Sequence, residues 1–290
     1  MKRILLSFLL IMMLVLAACS STSEDSTEEN TDSKKASHDA VWNEIQDSGE
    51  IVVGTSGTLY PSSYYPKDSD ELTGFEVEVQ KEIADRLGLD IKFEQMAFDA
   101  TLTALNSGRI DMSSMGLRGE NKEKFGYTQP IKYSYATMIV RKDDNSGINS
   151  LEDLENKIAG GAATTVYSEI AEKYGAEIKT YGNATNDAYL RDVHNGRTDV
   201  VINDYYLQSL AIEAFPDMNI HLHPDLKFHT STASIVMPKN AEKLRNEVDN
   251  VIGDMLDDGT LKDISETFFD GQDVSVKPDE DIIEIEGISK

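Results

Sequence analysis

Apolar positions in the first half of the chain follow the periods of alternating strands and helices. Residues 51–53 form an apolar run that leads into a glycine-containing loop, which is typical of a strand. Phe75, Val79, Ile83 and Leu87 then recur at every fourth position, as one face of a helix requires. The segment 91–94 alternates like a strand, a helical face follows at 98–105, and a further strand begins at 110. This order predicts a parallel sheet with helices on its faces.

A short motif, Gly-Arg-x-Asp, occurs once in each half of the chain, at 108–111 and at 196–199. In both places it follows a predicted helix and leads into an apolar stretch, and a glycine adopts the left-handed conformation at a helix C-terminus at little cost. The second half also has a strand-like run at 157–159 and a helical segment at 166–174. We therefore predict two α/β lobes of similar construction, the alternative being a common helix-to-strand joint that recurs by chance.

Two extended segments, at 136–140 and 230–237, allow the chain to cross twice between the lobes. The last helix follows the second segment, so we expect the C-terminal helices to complete the first lobe, and hinge closure around a ligand follows from this layout. The predicted divisions are a signal peptide at 1–18, a disordered tether at 19–40, lobe 1 at 41–134, lobe 2 at 135–227, a return to lobe 1 at 228–272 and a loosely ordered acidic tail at 273–290.

The N-terminus has the pattern of a targeting segment. Lys2 and Arg3 precede an apolar run that is too short to span a bilayer and that ends at Leu-Ala-Ala-Cys19. This ending resembles the lipobox of bacterial lipoproteins, whose cysteine carries a thioether-linked diacylglycerol. Cys19 is the only cysteine, so no disulfide can form within the chain. A secretory signal with an incidental cysteine is the alternative.

Composition excludes several classes of function. The chain has 290 residues, of which 52 are acidic and 27 basic, and a formal charge of -25 makes it a poor partner for nucleic acid. No nucleophile has an evident base to activate it. His221 and His223 lie two positions apart without other nearby ligands, so we expect neither a metal nor a cofactor.

Ligands in open α/β sheets bind beyond the carboxyl ends of the strands. That rule nominates polar residues that follow predicted strands, namely Ser56, Ser113, Ser114, Gly116, Thr164, Thr165 and Asp204. Hydroxyls and free amides at a helix start can receive a carboxylate, and Asp204 can pair with an ammonium. Thr165 could equally be only an N-cap, and the serines only polar strand ends. Arg118 is a candidate carboxylate clamp or a solvated arginine.

Tyrosines also cluster near these strand ends, where they could wall a pocket, although packing in the core or at the rim is the more common fate of any one of them. They are Tyr60, Tyr64, Tyr65, Tyr133, Tyr135, Tyr205 and Tyr206.

Five stretches, taken in order, resemble one known family. They are Gly-Thr-Ser-Gly-Thr-Leu-Tyr-Pro at 54–61, Leu-Thr-Gly-Phe-Glu-Val at 72–77, the segment 104–111, Tyr-Thr-Gln-Pro at 127–130, and the segment 195–199 with Asp204. The chain from Trp42 to Gly271 is similar to the polar amino-acid-binding proteins of bacterial ABC importers. The resemblance implies a two-lobed periplasmic-binding-protein fold of the α/β class with two crossing hinge strands. It also implies uptake of a small polar solute, an amino acid such as cystine or a related compound, with an ABC permease and its ATPase as partners and a lipid anchor on the extracellular face of the cell membrane.

The same resemblance implies roles for individual residues. Ser113, Ser114 and Gly116 would line the first-lobe side of the site. Thr164 and Thr165 would cap the ligand carboxylate, and Asp204 would take the ammonium. The family usually has a carboxylate-clamping arginine where this chain has Asn121. Three possibilities are open: Arg118 takes over that charge, the ligand lacks an ordinary α-carboxylate, or a neutral amide contact suffices.

The leading hypothesis is therefore a binding protein without catalysis. One alternative is a dehydratase-like enzyme on the same scaffold, for which Glu76 and Asp99 are the nearest general acids by position. The other is a ligand-sensing subunit of a signalling system.

Overall fold

The computed structural model describes residues 40–116, 119–181 and 184–288. Its first half alternates strands and helices in the predicted order. The elements are helix α1 Ala40–Ser48, strands β1 Glu50–Thr55, β2 Thr58–Leu59 and β3 Ser63–Tyr64, helix α2 Phe75–Leu87, strand β4 Asp90–Gln95, helix α3 Phe98–Asn106, strand β5 Met112–Met115 and the short helix α4 Gly119–Lys122.

The second half begins with a long strand and ends with two helices. The elements are β6 Phe125–Arg141, two 3₁₀ turns at Asn145–Gly147 and Leu151–Leu154, β7 Ile158–Gly160, α5 Val166–Lys173, β8 Glu177–Lys179, α6 Asn186–His194, β9 Val201–Asp204, α7 Tyr205–Ala214, β10 Ile220–Leu222, β11 Phe228–Pro238, α8 Glu242–Asp257 and α9 Thr260–Phe268.

Strands β6 and β11 connect the two halves of the molecule. In the first half, β1 lies parallel to β4 and β5, and β11 pairs antiparallel with β5 and with β6. The far end of β6 pairs instead with β9 and β10 of the second half. The two extended segments expected from the sequence are thus parts of two long strands that cross between the halves.

The two Gly-Arg-x-Asp motifs form the same joint. Both glycines have a φ of 69°, which is the left-handed conformation expected at a helix end. The Asp111 N–H donates to the Val52 carbonyl, and its carboxylate accepts the Val52 N–H, both at 2.8 Å. Asp199 makes the corresponding pair of bonds with Ile158, at 2.8 and 3.0 Å. Each aspartate therefore ties its helix-to-strand joint to the neighbouring parallel strand.

The hydrophobic cores follow the same division. One core joins β1 and α2 with the C-terminal helices, and it includes Phe75, Ile83, Leu244 and Ile252, all fully buried. Another lies around β7, α5 and the start of β11 and includes Ile170 and Phe228. The C-terminal helices thus pack on the first-half core, as their position after the second crossing leads us to expect.

The acidic tail differs from the loosely ordered segment expected from its composition. Val274 is buried in the first core, whereas Ile285 is buried in the second. Between them, the Ile283 N–H donates to the Lys227 carbonyl at 3.0 Å, and Lys227 pairs with Glu280 at 2.7 Å. The few apolar side chains of the tail find sites on both cores, and that burial offsets the cost of ordering the chain.

The predicted signal peptide, Cys19, the predicted tether up to residue 39 and Arg118 lie outside the described residues, and residue 40, which the predicted tether includes, begins helix α1. Within the described ranges, the structure has no helix with the length and apolar character that a membrane crossing needs.

Candidate functional site

A cavity of about 190 Å³ lies where the strand ends of the two halves meet. The first half contributes residues that follow β1 and β5 and the first turns of α2 and α3. The second half contributes the loop before α5 and the end of β9, and β6 and β11 supply the floor. The polar and charged lining includes Ser56, Glu76, Asp99, Ser113, Ser114, Lys132, Thr165, Tyr167, Asn203 and Asp204.

Helix α2 presents Glu76 to this cavity from its first turn. The chain enters the helix at Gly74, whose φ of 128° and contact with Ser62 exclude a side chain, because a Cβ there would lie 2.4 Å from the Ser62 carbonyl oxygen. The Glu76 N–H donates to that same carbonyl at 3.0 Å. The glycine thus lets the helix start pack against the loop after β1, which places Glu76 at the strand ends.

The cavity floor carries a buried ion pair. The Lys132 ammonium of β6 lies 2.8 Å from one carboxylate oxygen of Asp204, and each side chain is only 7% exposed. The other Asp204 oxygen accepts the Leu207 N–H at 3.0 Å and caps helix α7. The Lys132 ammonium also lies 5.4 Å from the centre of the Phe269 ring, a cation–π distance. Asp204 is therefore held by a cation and a helix N-terminus of the same chain.

Glu76 is the second carboxyl group near Lys132. Its burial raises its pKa to about 7, an effect that the Lys132 charge opposes and the Asp204 charge reinforces. Within the described residues no hydrogen bond or ion pair is made by its carboxylate oxygens. Tyr167 of α5 faces the same group, and burial together with the two carboxylates raises the tyrosine pKa.

The cavity rim holds a third carboxylate, which bonds across to the other half of the chain. Asp99, in the first turn of α3, accepts the Thr164 N–H at 3.0 Å, the Thr164 hydroxyl at 2.7 Å and the Ala163 N–H at 3.3 Å. Thr164 is one of the two residues before α5 that are expected to cap a ligand carboxylate, and its backbone and hydroxyl donors both bond to Asp99. In this structure a side chain of the protein occupies them.

The structure brings six of the nine predicted ligand-binding residues to the cavity lining. They are Ser56, Ser113, Ser114, Gly116, Thr165 and Asp204. Thr164 and Asn121 lie outside the lining. Thr164 contacts Asp99, and Asn121 is buried in α4. Arg118 lies outside the described residues. The ligand-binding roles of all nine stay predictions.

Several lining residues also make hydrogen bonds within the fold, which fits their alternative roles as N-cap and strand-end residues. The Ser113 hydroxyl donates to the Gly54 carbonyl at 2.8 Å, and the Ser114 hydroxyl lies 2.8 Å from the amide of Gln80. Thr165 caps helix α5, because its hydroxyl accepts the Ser168 N–H at 3.2 Å.

The sequence pattern did not indicate Lys132 as a site residue. None of the seven tyrosines considered for a pocket wall lines the cavity, in agreement with the alternative of core or rim packing, whereas Phe98, Tyr167 and Tyr189 do line it. One signal in the sequence could have indicated Lys132. It is a lysine within a strand segment that must be buried, and a buried lysine needs a partner. No pattern in the sequence identifies Asp204 as that partner.

The two neighbouring histidines have structural partners. His221 bonds to the side-chain oxygen of Asn145 at 2.8 Å, and His223 bonds to the Ile148 carbonyl at 3.1 Å. In the described part of the chain, no three metal-binding side chains cluster in a way that could hold an ion.

Comparison with known proteins gives one consistent result. The profile of the bacterial extracellular solute-binding proteins, family 3, matches residues 51–271. The probable ABC transporter extracellular-binding protein YckB of Bacillus subtilis is 50% identical over 254 residues, which cover 86% of this chain and 88% of YckB. The crystal structure of YckB superposes with a TM-score of 0.66 at 51% identity and covers 84% of this chain and 99% of its own.

A second relative has a named ligand. The L-cystine-binding protein TcyA of Bacillus subtilis is 30% identical over 251 residues, which cover 85% of this chain and 91% of TcyA. An ancestral amino acid-binding protein, described as a precursor of cyclohexadienyl dehydratase, has a TM-score of 0.69 at 26% identity and covers 78% of this chain and 98% of its own. These likenesses confirm the expected two-lobed fold with two crossing strands.

Proposed function

Because the chain belongs to family 3 of the bacterial extracellular solute-binding proteins, we propose that it captures an amino acid and delivers it to an ABC importer. The observation that carries this proposal is the cavity between the strand ends, which both halves line and which contains charges of both signs. A zwitterion is a suitable occupant, because each of its charged groups can pair with an opposite charge. Cystine or a related sulfur compound is the first candidate, since one relative is named for L-cystine.

We further propose that the solute binds by closure of the two lobes. Strands β6 and β11 are the only long strands that cross between the halves in the described residues, so a small rotation about them would open the cavity. The proposed boundaries are those given by the sequence, with lobe 1 at 41–134 and 228–272 and lobe 2 at 135–227. Closure would exclude water and would leave polar groups unpaired around a wrong ligand.

The location that we propose is the outer face of the cell membrane. The signal pattern at 1–18 and the lipobox-like ending support cleavage and lipid attachment at Cys19. Two acyl chains would hold the protein where one would dissociate. A permease and its ATPase would then be the partners that receive the solute. Mass spectrometry of the N-terminal peptide tests the anchor, and a free Cys19 thiol would contradict it.

The test of the ligand class is a thermal-shift screen of the purified secreted chain. The panel contains the common amino acids, cystine, related sulfur compounds and small peptides. A ligand at 100 times its dissociation constant adds about 2.7 kcal/mol to the free energy of unfolding, which raises the midpoint visibly. A raised midpoint with an α-amino acid supports the proposal, and no shift across the panel contradicts it.

An enzyme on the same scaffold is the second candidate. The observation in its favour is Glu76, because a carboxyl group with a pKa of about 7 in a cavity suits a general acid. The relative that is described as a dehydratase precursor is itself an amino acid-binding protein, so binding remains the better supported function. NMR of a bound solute over hours distinguishes the two, because conversion to a product would establish catalysis.

A further inference from the structure

The acidic tail lies beyond the segment that the family profile matches, which ends at residue 271. Its first part is anchored in the first half of the molecule. The Val274 N–H donates to the Ser265 hydroxyl of α9 at 2.7 Å, and the Val274 carbonyl accepts the Tyr133 N–H of β6 at 2.8 Å. The Val274 side chain is fully buried in the first core. This end of the tail is therefore fixed to the proposed lobe 1.

The last part of the tail is anchored in the second half of the molecule. Ile285 is 6% exposed and belongs to the second core. The Ile283 N–H donates to the Lys227 carbonyl at 3.0 Å, and the Lys227 ammonium pairs with Glu280 at 2.7 Å. The tail thus passes from one half to the other, beside the two strands that also cross between them.

The tail bonds to the point at which the crossing strands change partners. Strand β6 pairs with β11 as far as Ala136, where it begins to pair with β9. Near Ala136, β11 has a bulge between Phe228 and Thr230, and the extra residue, His229, has a φ of 49° and is 1% exposed. The His229 N–H donates to the Ile283 carbonyl of the tail at 2.8 Å. The tail therefore supplies the acceptor for a buried backbone group that would be costly to leave unpaired.

Strand β11 has room for the tail at this level. Strand β5 pairs with β11 only at Ser234, Ile235 and Val236, beyond the bulge. Ile283 instead forms a parallel bridge with Phe228. The tail thus takes the place beside β11 that β5 leaves open near the bulge.

Rotation of the lobes requires the backbone of β11 to turn near this bulge, because hinge motion is absorbed by the torsions of a few residues. The tail is bonded on both sides of His229. Before it, Lys227 bonds through its carbonyl and its ammonium, and after it, the Thr230 hydroxyl donates to the Glu284 carboxylate at 2.6 Å. A change in the His229 torsions moves Lys227 relative to Thr230, so it strains or breaks these bonds. The tail therefore restrains the hinge in the arrangement of this structure.

We infer that residues 280–288 act as a brace on the hinge, which holds the two lobes in the arrangement of this structure and thereby raises the affinity for the solute. The inference rests on the proposed closure of the lobes and goes beyond it, because it gives a conformational role to a segment outside the family profile. In this arrangement both halves line the cavity, and Asp99 bonds across its rim to Thr164. When the brace detaches, fewer molecules have the lobes together, and the apparent affinity falls in proportion to that fraction.

Ile285→Asp tests the brace, because a charged side chain is costly to bury in the second core and the end of the tail can leave it. Val276→Asp is the matched control, since it makes the same kind of change in the same tail at a side chain that is 55% exposed. Hydrogen exchange at the His229 and Ile283 amides should lose protection in Ile285→Asp and keep it in Val276→Asp. A chain that ends at Val276 removes the brace outright and keeps the Val274 anchor.

The first readout is the distance between the lobes without any solute. Spin labels at Thr103→Cys on α3 and Glu177→Cys on β8, both exposed positions, report this distance. The labelled protein is the full chain with Cys19→Ser, which has no other native cysteine. We expect a narrow distance distribution in this parent chain and in Val276→Asp. In Ile285→Asp and in the chain that ends at Val276 we expect a broader distribution with a shifted maximum.

The second readout is affinity measured by calorimetry, with L-cystine as the probe. If L-cystine does not bind, the probe is the amino acid that raises the midpoint in the thermal-shift screen. We expect Ile285→Asp and the chain that ends at Val276 to bind about threefold to thirtyfold more weakly than the parent chain, which is within the worth of one buried isoleucine side chain. Val276→Asp should stay within about twofold of the parent chain.

The outcomes separate this inference from the proposed function. Equal distance distributions in the parent chain, in Ile285→Asp and in the chain that ends at Val276 would show that the tail only covers the hinge. The inference would then be wrong, and the proposed function would stand. A broader distribution with unchanged affinity would also overturn the inference, because the brace would not act on binding. A broader distribution in a protein that binds no amino acid would support the restraint on the hinge and contradict the proposed function.

Discussion

The floor and the rim of the cavity each hold an aspartate that is bonded to a distant part of the chain. At the floor, Asp204 pairs with Lys132, and both side chains are 7% exposed. At the rim, Asp99 is exposed and accepts its three hydrogen bonds around Thr164. The floor bond joins two charges away from water, whereas the rim bond joins a solvated carboxylate to a helix start.

The difference lies in what each carboxylate loses if its partner is removed. A buried carboxylate without its cation keeps its full desolvation cost, whereas an exposed one regains water. We therefore expect the Lys132–Asp204 pair to stabilise the folded state, and the hydrogen bonds between Asp99 and Thr164 to break and re-form readily. A ligand carboxylate could displace Asp99 from the donors before α5 more easily than a ligand ammonium could displace Lys132 from Asp204.

Removal of the floor cation should have the largest effect. Lys132→Met leaves Asp204 buried with only the Leu207 N–H, and we expect the free energy of unfolding to fall by about 3–5 kcal/mol in urea denaturation. The double variant Lys132→Met with Asp204→Asn should regain much of this loss, because the unpaired charge is then absent. Lys92→Met is the control, because the Lys92 side chain is about half exposed and lies 3.8 Å from Glu94, and this change should alter the free energy of unfolding little. A loss below about 1 kcal/mol for Lys132→Met would show that the floor resembles the rim.

The pH dependence of stability should come next in size. Glu76 has a folded pKa of about 7 against an ordinary value of 4.5, so the folded state binds more protons than the unfolded state between these values. The stabilisation that Glu76 contributes to the folded state is fully present below about pH 4.5. It is lost as the pH rises toward 7, at up to about 1.4 kcal/mol per pH unit. Glu76→Gln should remove this slope and make the protein more stable than wild type at about pH 8. An equal slope in both proteins would assign the titration to other groups.

Substitution of Asp99 at the rim should give the smallest change in the free energy of unfolding. Asp99→Asn keeps one acceptor but loses the charge, and we expect a loss of at most about 1 kcal/mol that shrinks as salt is added. Affinity for an α-amino acid should stay equal or rise, because the donors before α5 become easier to reach.

Asp153 offers a close control for the rim. It accepts the Asn149 and Ser150 N–H groups at 2.9 and 3.0 Å and is also near the Ser150 hydroxyl, but all these bonds are local. Asp153→Asn should leave ligand affinity unchanged. If Asp99→Asn loses more stability than Lys132→Met, the comparison between floor and rim is reversed.

The order of the elements and their joints could be predicted from the sequence because they depend on neighbours along the chain. The fourfold spacing of apolar residues predicted helix α2, which the structure has at Phe75–Leu87. The Gly-Arg-x-Asp motif predicted two similar joints, and the structure has them with nearly identical bonds at Asp111 and Asp199. The strand-end rule then indicated where polar side chains would gather.

The pairing of the charges was decided only by the tertiary structure. Lys132 and Asp204 lie on different strands, and Asp99 meets Thr164 across the cavity, so neither contact has a signature in local spacing. The same holds for the tail, whose composition suggests disorder but whose Val274 and Ile285 find two cores. Short-range periodicity determines helices, strands and turns, whereas the partner of a charged side chain depends on which distant surfaces the folded chain brings together.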